Sequence, residues 1–196
     1  YVLLRYLGER GAGAGVAAAV AVSVPFDLSA GAARLDRGFM SRVYTTYFMR
    51  SLRRKARLKE ALLRGACDYE AVVRARTLRE FDDAATAPLH GFADAEDYYR
   101  RCSSATVLER IRVPTLVLQA EDDPFLPREA LPVRALAENP WIVAGVVARG
   151  GHVGFIERRR PGTGRFWAER EAARFLATVL FGGGSDQVGQ ELEPAL

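Results

Sequence analysis

The chain is poor in the residues that build metal and redox centres: its 196 residues include two histidines, two cysteines and two methionines. Cys67 and Cys102 stand apart with no Cys-x-x-Cys spacing, which argues against a zinc site, a dithiol couple and a disulfide-stapled scaffold. Two lone thiols suit a reducing, cytoplasmic compartment. No apolar run reaches the ~20 residues that a membrane-crossing helix needs, because the Ala/Val stretch from Gly13 to Val24 stops at Pro25. Without an initiating methionine no secretory leader can be read. No metal-ligand set, cofactor fingerprint or nucleic-acid motif occurs. Gly-x-Ser-x-Gly, the turn that presents a nucleophilic serine, is missing too.

What is present is ordinary globular composition, 49% hydrophobic and 27% charged, enough for one domain with a sizeable core. The net charge is +4, and most of the excess lies between Arg50 and Arg64. There Leu52, Leu58, Leu62 and Leu63 recur among the cations and predict a helix with one apolar stripe. Its cationic side, 50–64, reads either as a solvated face or as a surface on which an anionic partner docks, a phosphate or an anionic membrane. Peripheral membrane contact therefore stays open, whereas no aromatic interleaving supports nucleic acid.

The opening residues, apolar at 2, 3, 6 and 7 and followed by glycine, predict that the chain begins inside an amphipathic helix. The run 16–24, closed by Pro25, predicts a strand covered on both faces, as in a parallel sheet. From about 27 to 99 no strand-like run follows, and helical patterns at 28–35, 39–63, 69–73 and 95–100 take its place. The stretch 77–92, with Pro88, Gly91 and small polar residues, reads as a loop. Further strands are predicted near 115–119 and 141–147, with a short helix over 128–137 between them. A loop holding Pro161, Gly162 and Gly164 then leads to a final amphipathic helix, 166–180. These elements predict an α/β fold of parallel strands with flanking helices. The domain covers 1–182, carries a helical cap inserted at about 27–105, and ends in a flexible tail, 183–196.

In an open parallel sheet, side chains at the carboxyl ends of the strands converge on one crevice. The sequence from Pro114 to Pro127 reads as a buried strand that ends in two carboxylates and a proline-bounded turn. Gly150-Gly151-His152-Val153-Gly154-Phe155 sets an imidazole just after the next strand, between glycines that let the backbone bend and the ring stay open. Asp123 precedes His152 by 29 residues, room for a turn, a helix and a returning strand. Such a pair has the chemistry of a general base and of the carboxylate that orients it. Position alone leaves either Asp122 or Asp123 facing the ring, the other bonding backbone amides. His90, the second histidine, reads as a loop hydrogen-bonder or as a lining of the pocket.

Several uncommon strings occur in one order: Val24-Pro25-Phe26-Asp27-Leu28, Leu35-Asp36-Arg37-Gly38-Phe39, Phe81-Asp82-Asp83, Thr86-Ala87-Pro88-Leu89-His90-Gly91-Phe92, Tyr98-Tyr99, Asp122-Asp123-Pro124-Phe125 and the glycine-flanked His152. Together they resemble the YheT-type branch of the α/β-hydrolases over roughly residues 1 to 180. The resemblance implies the C-terminal part of an α/β-hydrolase fold and a serine hydrolase of esterase or lipase type. Its substrate would be a small-molecule acyl ester of a carboxylic acid, with no cofactor and no metal. It makes Asp123 the acid and His152 the base, and puts the serine and the oxyanion hole upstream of Tyr1. The chain alone is then expected to be inactive. The cap from about 39 to 92 would shape the acyl pocket. Two other readings compete: a non-catalytic module docking through 50–64, and a truncated product without activity. A pure binding module has no need of a carboxylate and an imidazole at strand ends.

Overall fold

The computed structural model describes residues 1–37, 39–160 and 163–182. The expected tail, 183–196, and Pro161 and Gly162 of the expected loop lie outside the described residues. Along the chain run α1 (Val2–Arg10), β1 (Ala19–Val22), α2 (Leu28–Leu35), α3 (Phe39–Leu58), α4 (Glu60–Arg64), α5 (Tyr69–Arg74), α6 (Leu78–Phe81), α7 (Ala87–Leu89) and α8 (Ala95–Cys102). There follow β2 (Thr115–Ala120), α9 (Val133–Glu138), β3 (Ile142–Val147), β4 (Ile156–Arg160), β5 (Thr163–Phe166) and α10 (Trp167–Phe181). The chain forms two compact units, one of Tyr1–Phe26 with the chain from Ser104 on, the other of Asp27–Ser103.

In the first unit β1, β2 and β3 make a parallel sheet in that order. The central strand, β2, is buried along its whole length because both sheet faces are covered. The pleat sends Val117 toward a core built with Leu4 and Leu7 of α1, Leu108, Ile111 and Leu136. Leu116, Leu118 and Ala120 point the other way, against Trp167 and Phe175 of α10. The buried side of α1 is thus Leu4 and Leu7; Val2, Leu3 and Tyr6 are exposed, so the expected 2, 3, 6, 7 face is corrected. The first strand is also shorter than the apolar run 16–24 suggested, because only Ala19–Val22 pairs with β2. The expected loop after His152 is instead an antiparallel hairpin, in which Ile156 of β4 stands opposite Phe166 of β5.

Among its described residues the second unit consists of helices joined by short turns. α3 does not run on to 63: Lys59 leaves helical geometry at φ −115° and ψ 21°, and α4 restarts at Glu60. The break brings Leu63 into a cluster with Ala56, Tyr69, Val72 and Ala85. Leu58 and Leu62 are left in solvent, so the predicted leucine stripe is not the buried one. Thr45, Met49 and Ala56 are buried instead. Residues 77–92, expected as a loop, are mostly helical: α6, a π-type turn over Asp82–Thr86, and α7 with Pro88 in its first turn. Thr77 caps α6 by accepting from Glu80 N, and a proline in the first turn costs no hydrogen bond.

Candidate active site

The site lies at the carboxyl ends of β2 and β3. β2 ends at Ala120, and the turn that follows turns the side chain of Asp123 inward, fully buried. Its Oδ1 accepts from the backbone N–H groups of Phe125, at 2.9 Å, and Leu126, at 3.3 Å. This is the Asx-turn chemistry expected of Asp before Pro124, and it fixes the carboxylate rotamer. The other oxygen, Oδ2, lies 2.8 Å from His152 Nδ1. An ionised carboxylate has no proton to give, so Nδ1 is assigned the ring proton and Nε2 the lone pair. Among the described residues Nε2 has no hydrogen-bond partner, and the ring keeps about a third of its surface open, 35%.

Asp122 does the other job. Its Oδ1 accepts from Gly150 N and Gly151 N, each at 2.8 Å, which ties the β2 turn to the turn carrying His152. Two successive N–H groups converging on one anion form a small backbone nest. Gly151 takes φ +63°, the left-handed region open to glycine. Phe155 N donates to Gly150 O, at 2.9 Å, and closes the turn, while the Phe155 ring stacks on Trp167. The Phe125 ring meets the imidazole edge-on, 4.8 Å between centroids, and limits its swing.

Position in the sequence left Asp122 and Asp123 as alternatives for the ring. The geometry pairs Asp123 with His152 and gives Asp122 the amides. His90 stands exposed at the end of α7, in the other unit, and enters none of these bonds. Two supports were missed in the sequence. Ser23, just past β1, donates its hydroxyl to the carbonyl oxygen of His152 and not to the ring. Gln119, fully buried in β2, accepts from Val24 N at 2.9 Å and holds the end of β1 against β2. A polar residue inside an apolar strand must find a partner, and that rule would have singled out Gln119. Ser23 gives no such signal, because its role rests on a backbone at φ +52°. Among the described residues no group of three or more His, Cys, Asp or Glu side chains is placed to hold a metal ion. None of the described helices is long and apolar enough to cross a membrane.

No family model matches the chain, and no solved structure matches it. Curated proteins do. YheT of Escherichia coli, whose name gives it as a candidate esterase, is 39% identical over 164 residues, which is 81% of this chain and 46% of YheT. Monoacylglycerol lipase of Saccharomyces cerevisiae is 33% identical over 181 residues, 89% of this chain and 39% of the lipase. Phospholipase ABHD3 of Mus musculus is 31% identical over 156 residues, 80% of this chain and 38% of the phospholipase. The chain spans less than half the length of these relatives and matches their C-terminal portion.

Proposed function

Because the chain belongs to the YheT-type branch of the α/β-hydrolases, we propose that Asp123 and His152 are the acid and base of a serine hydrolase that cleaves carboxylic esters. The observation that carries this reading is the 2.8 Å contact between His152 Nδ1 and the buried Asp123, which leaves Nε2 open. The nucleophile is a serine upstream of Tyr1, in the part of the relatives that this chain does not span. Nε2 takes the serine proton as the oxygen attacks the ester carbonyl, then hands it to the departing alcohol as the C–O bond breaks. Water, deprotonated by the same nitrogen, attacks the acyl-serine; the bond to the serine oxygen breaks, Nε2 returns the proton to that oxygen, and the carboxylic acid leaves. Asp123 keeps Nδ1 protonated throughout and stabilises the imidazolium. These steps call on no metal and no cofactor. The names of the relatives make acylglycerols and phospholipids the first esters to assay.

The test uses the intact protein, including what precedes Tyr1, with a short-chain aryl ester and a fluorophosphonate probe. Asp123→Asn should lower kcat by about four orders of magnitude, since the ring would then be held in the wrong tautomer. His152→Ala should abolish labelling by the probe. The 196-residue chain alone should neither turn over ester nor take the label. Full activity in Asp123→Asn would remove that residue from the mechanism. Labelling of the 196-residue chain that depends on His152 would show the nucleophile to lie within it.

A further inference from the structure

The exposed side of α3 carries two kinds of side chain that water does not hold together. Val43, Tyr47, Arg50, Arg54 and Arg57 follow one another at alternating spacings of four and three, so they form a single stripe along the helix. All five are exposed, and Arg42 and Arg53 border them on the same open surface. The opposite stripe, Thr45, Met49 and Ala56, is the one buried in the unit. Among the described residues none of these arginines has an acidic partner. Arg64, farther along, is paired with Glu60 at 2.8 Å and Glu70 at 3.1 Å, so among the described residues the arginines of 50–64 without an acidic partner are those of α3. Beside the cations, Tyr47 is 71% exposed and Leu58 is 78% exposed, with Leu62 just beyond in α4.

We propose that this face of α3 docks on a lipid bilayer with anionic headgroups. Arginines along one side of a helix are drawn to a negatively charged leaflet, and their long stems lie down while the guanidinium groups reach phosphate. Val43, Tyr47 and Leu58 then enter the boundary between headgroups and acyl chains, where a tyrosine can bury its ring and keep its hydroxyl wet. Charge complementarity selects the anionic surface, and the exposed apolar residues select a bilayer over a soluble polyanion. A nucleic acid would satisfy the arginines but offer nothing to Leu58. The inference stands apart from the hydrolase reading, because docking is measured without turnover.

Sedimentation of the intact protein with vesicles tests it. Equimolar phosphatidylcholine and phosphatidylserine should carry the protein down, and phosphatidylcholine alone should not. The difference should shrink with added salt. Each arginine removed should weaken binding roughly fivefold, so that Arg50→Gln, Arg54→Gln and Arg57→Gln together lose about two orders of magnitude. These positions are exposed, and an unchanged far-ultraviolet circular dichroism spectrum checks that the fold survives. Tyr47→Trp in the otherwise native chain gives an independent reading: its indole emission should shift to the blue with the mixed vesicles. Equal sedimentation with both lipids would overturn the proposal, as would undiminished binding of the triple variant. Tight binding of heparin or single-stranded RNA, with no emission shift on vesicles, would assign the face to a soluble polyanion instead.

Discussion

At Gly150 an added Cβ would meet two ring carbons of Phe155, at 2.7 and 2.8 Å, and the Ala120 Cβ at 3.0 Å. Phe155 is buried and stacked on Trp167, so neither neighbour can give way freely. Gly150→Ala should therefore cost about 1–3 kcal/mol in a urea titration, as overpacking of a filled site does. It should also loosen the Asp122 bonds and shift the imidazole, and in the proposed ester hydrolysis by the intact protein it should lower kcat more than KM. Gly151→Ala meets no atoms but is held at φ +63°, and should cost about 1 kcal/mol from backbone strain alone. A smaller loss at 150 than at 151 would refute the packing argument. The pair at this site was legible to within one residue, because a proline-bounded turn marks Asp122-Asp123 and glycines mark His152, while the choice between the two aspartates rested on the resemblance. Ser23 was not, since a serine with positive φ looks like any other serine until the backbone is known.

Among the elements, the segment from α6 to α8 was hardest to read, and it carries a half-buried polar network. Pro88, Gly91 and short polar residues suggested a loop, yet Thr77 and Glu80 stand at the spacing of a helix-opening box. The breakers mask that signal, although Pro88 sits where a helix tolerates it. The hairpin β4–β5 escaped for a different reason: its sequence is rich in arginine and glycine and lacks the apolar alternation by which a strand is recognised. Within the network, Asp82 accepts from the Tyr99 hydroxyl at 2.7 Å and from Thr86 Oγ1 at 2.6 Å. Burial, then the bond to Asp82, raise the Tyr99 phenol well above its ordinary value of 10.0. The folded state thus keeps a proton that the unfolded chain gives up above that pH, and stability falls as pH rises past it. Tyr99→Phe leaves one oxygen of the half-buried Asp82 without its donor and should cost about 1 kcal/mol near neutrality. Since the variant lacks the titrating phenol, its deficit should shrink above pH 10.0. A difference that stays constant up to pH 11, taken as about one unit beyond the ordinary phenol value, would show that Tyr99 does not resist ionisation.

For the whole molecule, the open question is what the sheet does at its β1 edge. In the parallel ladder Ala19 N donates to Pro114 O and Ser23 N to Leu118 O, both at 2.9 Å. Ala19 and Ala21 therefore spend their backbone groups on β2, and those of Val20 and Val22 point the other way. Among the described residues no strand lies beyond β1. The parallel pattern itself was legible from the continuous apolar runs, but the strand order was not, because pairing partners leave no mark on single strands. An open edge next to Val22, itself exposed, is a template for another chain. The 196-residue chain, prepared alone, should associate at micromolar concentration in light scattering, and co-expression with the upstream segment should suppress this. Val22→Pro removes an outward N–H without touching the β1–β2 ladder, so it should lower association and leave helical content unchanged. Ala21→Pro deletes a ladder bond and should unfold the edge. A monomer that unfolds reversibly in one sharp transition would instead make the edge harmless and the chain self-sufficient.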